Sequence, residues 1–279
     1  MAKAVEIVTL VDNVVFRRGL LAEHGLAFLI RAGGRTVLFD TGAGAAVVHN
    51  ALSLGMDPRD INAAVLSHGH DDHTGGLKKI CEITGPQPVY AHPDALAAKY
   101  RVKPGKEPQY IGIPWSREEL EKTGAMLHLH REPVALAEGV VATGEIPRVY
   151  GFEALSPEFC VLAGGEYVQD RLLDDQALVL DTREGLVVIL GCAHAGLINT
   201  LEYILQLMGS SRIYAVIGGT HLKDADAERL EKTAKELSRF DLQYFIAGHC
   251  TGLAAGAALY RALGDKLLFN EVGRVFKVG

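Results

Sequence analysis

The sequence predicts an α/β fold, on two observations. Short apolar strands alternate with helical patterns along all 279 residues. Three of those strands stop at a glycine-led turn carrying a histidine or cysteine: Gly191-Cys192-Ala193-His194, Gly218-Gly219-Thr220-His221 and Gly248-His249. Ligand sites of α/β folds gather at strand ends, so these turns are expected to converge on one site.

Val5 to Val11, Ala27 to Arg31 and Thr36 to Asp40 are β-rich, and Gly33-Gly34 joins the last two as a hairpin turn. A helical pattern runs from Ala43 to Leu54. The apolar strand Ala63 to Leu66 then leads straight into Ser67-His68. A helix over Gly76 to Ile83, a strand Val89 to Ala91 and a helix over Asp94 to Tyr100 follow. Residues 101–118, rich in Pro, Gly and charge, read as an irregular surface excursion, either a lid or an interface. Beyond it come strands at Met126 to His130, Val140 to Thr143, Gln176 to Asp181 and Leu186 to Leu190, then a helix from Gly196 to Leu207. Strand Ile213 to Ile217, helix Ala225 to Arg239 and strand Tyr244 to Ile246 complete the pattern, with no tandem sequence repeat. One domain over 1–279 is expected.

Composition narrows the function. Apolar residues make up 48% and charged residues 22%, enough for a large core without staples. The net charge of −6 and the lack of a Lys/Arg run argue against nucleic acid as partner. Cys81, Cys160, Cys192 and Cys250 are widely spaced with no C-x-x-C pair, which fits a reducing compartment. With no apolar leader at the N-terminus and no 18-residue apolar run, a cytoplasmic protein without membrane contact is expected. The partner is then a small-molecule substrate. No feature of the sequence sets an oligomeric state.

Chemistry concentrates in His68-Gly69-His70-Asp71-Asp72-His73. Neutral imidazole and carboxylate are natural ligands of zinc or iron. At an extended strand end, residues i and i+2 share a side, so His68 and His70 can hold one ion, while Asp72 and His73, past the turn, face a second. His194 and His249 stand at other strand ends as further ligands. His221 is read as a substrate-facing or proton-transferring imidazole, and Glu23-His24-Gly25 as a segment over the site. His92 reads as a helix-start residue, His128 and His130 as solvent-facing, and His49 as closing a helix.

The His-x-His-x-Asp-His run after an apolar strand, with Leu38-Phe39-Asp40-Thr41-Gly42 upstream, resembles the metallo-β-lactamase superfamily. More narrowly, Ser67 to Gly76, Asp175-Gln176-Ala177-Leu178, Gly191 to Gly196, Gly218 to Leu222 and Gly248 to Gly252 resemble a branch of 7,8-dihydropterin-6-methyl-4-(β-D-ribofuranosyl)aminobenzene-5′-phosphate synthase-like proteins. The resemblance spans nearly the whole chain. It implies an αββα sandwich, two mixed sheets flanked by helices, with two divalent metals at one sheet edge. His68, His70 and a later histidine would hold the first, Asp72, His73 and His249 the second, and Asp40 would anchor ligands from behind. The chain departs from the superfamily where Cys192 and His194 stand in place of a familiar Asp, which leaves His194, Cys192 and Asp175 as alternatives for the residue that bridges or completes the site. Zinc is the first choice of metal, with iron or manganese as alternatives.

With two such ions the expectation is a hydrolase-type enzyme whose metal-bound hydroxide attacks a small, phosphorylated or pterin-like substrate, Asp72 orienting the nucleophile and His221 protonating the leaving group. Two other readings stand beside it: a metal- and ligand-binding sensor without turnover, and a di-iron redox enzyme with a separate electron donor.

Overall fold

The structure is a computed structural model and describes every residue except Lys3. In chain order the strands are β1 (Val5–Val11), β2 (Ala27–Ala32), β3 (Arg35–Phe39), β4 (Ala63–Val65), β5 (Gln87–Ala91), β6 (Lys99–Arg101), β7 (Gln109–Tyr110), β8 (Ala125–Leu129) and β9 (Val134–Ala137). They continue as β10 (Val140–Ala142), β11 (Phe159–Ala163), β12 (Glu166–Gln169), β13 (Ala177–Thr182), β14 (Gly185–Leu190), β15 (Ile213–Gly218), β16 (Tyr244–Ala247), β17 (Leu267–Phe269) and β18 (Val275–Val278). The helices are α1 (Val47–Ser53), α2 (Asp71–Thr74), α3 (Leu77–Thr84), α4 (Arg117–Lys122), α5 (Leu197–Met208), α6 (Ala227–Leu237) and α7 (Leu253–Leu263).

Two seven-stranded sheets form, in the orders β18-β1-β2-β3-β4-β5-β8 and β17-β16-β15-β14-β13-β10-β9. Each runs from three antiparallel pairings to three parallel ones: β18 to β3 and then β3 to β8 in the first, β9 to β14 and then β14 to β17 in the second. The two halves thus repeat one topology without a sequence repeat. Ile7, Phe28 and Phe39 of the first sheet meet Leu178, Val187, Ile217 and Ile246 of the second in the central core. The outer face of the first sheet packs on α1 through Val47 and Ala51, and on α3 and α4 through Leu77, Cys81 and Leu120. The outer face of the second is covered by Leu197 and Leu201 of α5, Leu237 of α6 and Leu259 of α7. This is the αββα sandwich. Burial on both faces is why strands such as β14 read as unbroken apolar runs rather than alternating ones. Among the described residues no helix is long and apolar enough to cross a membrane.

The helix expected over Asp94 to Tyr100 is a correction. Pro93–Leu96 is a single 3₁₀ turn, and Lys99, Tyr100 and Arg101 instead pair with Val161, Cys160 and Phe159. The excursion at 101–118 is also more ordered than its composition suggests. Strands β12-β11-β6-β7 make a small antiparallel sheet, and α4 opens with a capping box between Ser116 and Glu119. This sheet is stitched to the histidine loop, since Asp71 N donates to Ile111 O at 2.9 Å and Gly112 forms a bridge with His70.

Candidate metal centre

The parallel strands β3, β4, β14, β15 and β16 all deliver their C-terminal ends to one place: Asp40, Ser67-His68, Cys192-His194, His221 and His249 respectively. Four of the turns leave the strand in the left-handed conformation on a non-glycine residue, at Asp40 (φ 59°), Ala193 (φ 52°), His221 (φ 48°) and His249 (φ 47°). Such conformations cost energy and persist where surrounding structure holds them, often at functional sites.

Asp40 is the hub behind the site. Its Oδ1 accepts from Ser67 N at 2.7 Å, and its Oδ2 meets Ser67 Oγ and His73 Nδ1, each at 2.7 Å. Ser67 Oγ in turn lies 2.9 Å from His68 Nδ1. Both imidazoles are thereby oriented through Nδ1, leaving Nε2 to face the site. Gly191 is required here, because a Cβ on it would fall 2.1 Å from Ser67 Oγ.

The facing atoms form two sets. His68 Nε2 lies 2.9 Å from His70 Nδ1, and the His194 ring closes the group at centroid distances of 4.8 and 5.0 Å from those two rings. In the second set His73 Nε2 is 3.2 Å from His249 Nε2, and Asp72 Oδ2 is 3.4 Å from His249 Nε2 and 3.3 Å from His24 Nε2. Cys192 lies between the two. Its Sγ is 3.2 Å from His73 Nε2, and it groups within 4.8 Å both with His68 and His194 and with His73 and His249.

The donors suit metal ions. Nε2 of His194 is buried without a hydrogen-bond partner, and a buried unpaired polar atom costs about 1–3 kcal/mol. Burial pushes His70 down to about 3 and holds His68 and His194 well below the usual histidine range, so these rings are neutral, the form that ligates. For His73 burial works in the same direction, but the Asp72 and Asp40 carboxylates outweigh it and hold the ring up to about 9. Burial would raise Asp72, yet His73 and His249 hold it well below the carboxylate range. Neutral imidazole, cysteine thiolate and carboxylate are the ligand types that zinc takes, so His73 and Cys192 would each give up a proton to an arriving ion.

Other candidates fall around this core. Asp175 stands outside every such group. Its Oδ2 accepts from Ala195 N at 2.8 Å, and burial pushes its carboxyl up to about 7 against the pull of the Ala195 and His194 amides. It shapes the turn that carries His194. Glu23 is a correction: it caps the amides of Gly44, Ala45 and Ala46 at 2.9–3.2 Å and does not line the cavity. His24 does line it. His221 packs its ring 4.3 Å from that of His194, with Nδ1 buried and unpartnered. His92 accepts from Asp94 N at 3.0 Å, as a helix-start residue should.

Several contributors were not singled out from the sequence. Asn13, just past β1, accepts at Oδ1 from His249 Nδ1 at 2.9 Å. Phe159 packs on His70, His194 and His221 at 5.2–5.4 Å, and Cys250 Sγ accepts from His221 N at 3.1 Å. Cys250 lay inside a noted motif. Asn13 and Phe159 carry no local pattern that marks them.

The site opens into a cavity of about 820 Å³. Arg101, Lys103, Lys223 and Arg229 line it together with Asp71, Asp72, Glu158 and Asp224, so its side-chain charges balance and divalent ions would make it positive.

Comparison with known proteins agrees with this architecture. Residues 21–157 match the model of the metallo-β-lactamase superfamily. The chain is 34% identical over 286 residues to the 7,8-dihydropterin-6-methyl-4-(β-D-ribofuranosyl)-aminobenzene-5′-phosphate synthase of Methanocaldococcus jannaschii, covering 98% of this chain and 96% of that one. An uncharacterized protein of the same organism is 31% identical, over 96% of this chain and 98% of its own length. Among solved structures, a metal-dependent hydrolase of the β-lactamase superfamily superposes with a TM-score of 0.83 at 29% identity, over 98% of this chain and 99% of that one.

Proposed function

Since the chain belongs to the metallo-β-lactamase superfamily, we propose that it is a binuclear metal-dependent enzyme of hydrolase type acting on a small anionic molecule. The observation that carries this reading is the convergence of two ligand sets on the single thiol of Cys192. His68, His70 and His194 would hold one ion and Asp72, His73 and His249 the other, with Cys192 positioned to serve either. When bound, such ions polarise a carbonyl or phosphoryl oxygen and lower the pKa of water toward about 7. Zinc is the metal we propose, with iron or manganese as alternatives.

The chain's own residues divide the remaining work. Asp72, an ionised carboxylate at the cavity wall, accepts a hydrogen bond from a water there and orients it. His221, with its free Nδ1 beside His194, hands a proton to the leaving group. Phe159 shields the inner imidazoles from bulk water. The Methanocaldococcus relative is named for a dihydropterin bearing a ribofuranosyl 5′-phosphate, and a phosphorylated, pterin-like molecule is the substrate class we propose here. The cavity lies within the size range of small-molecule sites, roughly 300–1,000 Å³. The four cysteines are free and buried, which fits work in the reducing cytoplasm.

The test is metal analysis joined to turnover of chromogenic phosphodiesters and esters with zinc, manganese or iron supplied. Two ions per chain and turnover are expected. Asp72→Asn should keep the fold, lose the second ion and lose most activity. His221→Gln should keep both ions and lower kcat by about 10²–10⁴-fold. An Asp72→Asn protein that retains two ions and full turnover sinks the assignment, and metal binding without turnover on any substrate favours a sensor.

A further inference from the structure

Lys99 on β6 is buried to 1% exposure in the interior beneath the small sheet. Its Nζ donates to Asp170 Oδ2 at 2.6 Å and to Asp174 Oδ1 at 3.0 Å. Burying an ammonium costs several kcal/mol even when paired, and a hydrocarbon of the same length would fill the space. The charge therefore calls for a reason beyond packing. Asp174 Oδ2 accepts from Gly69 N at 2.8 Å, and Gly69 is the residue between His68 and His70. On its other side Gly69 is pressed against Ala95, whose carbonyl oxygen would lie 2.1 Å from an added Cβ. The Lys99 carbonyl accepts from Ile111 N at 3.0 Å, and Ile111 O accepts from Asp71 N, so the lysine's backbone reaches the far end of the same loop. Asp170 N donates to Phe159 O at 2.8 Å, which links the ammonium to the aromatic ring lying on His70 and His194.

We propose that Lys99 is a positioning residue for the His68–His70 pair: its Nζ pins the Asp174 carboxylate from one side, and the Asp174–Gly69 bond on the other sets the turn that aims both imidazoles at one ion. Burial alone would raise Asp174, and Lys99 holds it below the usual carboxylate range. The proposal rests on the metal reading above and adds a selective consequence. Damage at Lys99 reaches the ion of His68, His70 and His194, while the ion of Asp72, His73 and His249, organised by Asp40 and Asn13, is spared.

The experiment is a zinc titration of the full chain against a chromophoric chelator, with His194→Ala and His249→Ala identifying the two binding steps. Lys99→Met is expected to weaken the first step by about 10- to 100-fold and to leave the second within about twofold. Asp174→Asn, which keeps an oxygen acceptor and removes the charge, should weaken the same step by a smaller factor. In variants whose circular dichroism and cooperative unfolding match the parent, equal weakening of both steps, or of neither, overturns the proposal. If Lys99→Met does not fold, Asp174→Asn decides it by the same criterion. A parent protein that shows no two-step binding overturns instead the binuclear reading on which it stands.

Discussion

Asp40 shows how much of the site hangs on one carboxylate: three hydrogen bonds, to Ser67 N, Ser67 Oγ and His73 Nδ1, orient two neighbouring imidazoles, His68 and His73, whose rings lie 4.3 Å apart and both group with Cys192. Its left-handed backbone is one that Asp and Asn both tolerate, so Asp40→Asn isolates the loss of charge and of one acceptor from any backbone effect. That variant is expected to lose about 2–3 kcal/mol in denaturant unfolding, the scale of a bond to a charged group left incomplete in the interior. Unchanged stability would mean that Asn supplies the same network. The sequence made His68, His70, Asp72 and His73 visible because they sit within six residues. The thiol between the two sets was harder to weigh, since a cysteine after an apolar strand looks the same whether it packs or ligates.

Elements position these residues by where they stop. Five strands end side by side, and four of the turns leave in the left-handed conformation, so the side chains project from strand ends instead of continuing along the sheets. Helix α1 illustrates a limit of local reading. A helical pattern is expected from Ala43, but Val47 opens the helix, because Gly44 stands at φ 113°, outside the helical range, and Glu23 caps the free amides of residues 44–46 just ahead of it. Glu23→Ala should therefore cost about 1–2 kcal/mol of stability, the effect of a lost cap, and leave metal content unchanged. A loss of metal at unchanged stability would return Glu23 to the site. The small sheet was missed for a related reason. Its strands are two to five residues long, and β6 finds its partner β11 almost sixty positions away, across intervening segments that carry their own patterns.

At the scale of the molecule, the last strand β18 returns to β1 and closes the edge of the first sheet, while β17, just before it, belongs to the second. The ligand sets likewise draw on both halves, so ions at this site would tie the two sheets together. Removing both with a chelator is expected to lower the unfolding midpoint by about 10–20 °C, from about 2.7 kcal/mol of linkage per ion at a hundredfold excess of metal over Kd. Differential scanning fluorimetry with and without chelator checks it, and coincident midpoints would count against metal binding.

What the chain determined by itself is local. Apolar runs marked the central strands, the Gly33-Gly34 turn marked the hairpin, and the spacing of His68, His70, Asp72 and His73 marked the chemistry, because each is set by neighbours within a few residues. What only the tertiary structure decided is the company those residues keep. His73 meets Cys192 from 119 positions away and His249 from 176, Asp174 reaches Gly69 across 105, and Glu23 proves to be a cap. Such contacts depend on which strand ends are brought side by side, and that is set by sheet order and core packing, which no short stretch of sequence encodes.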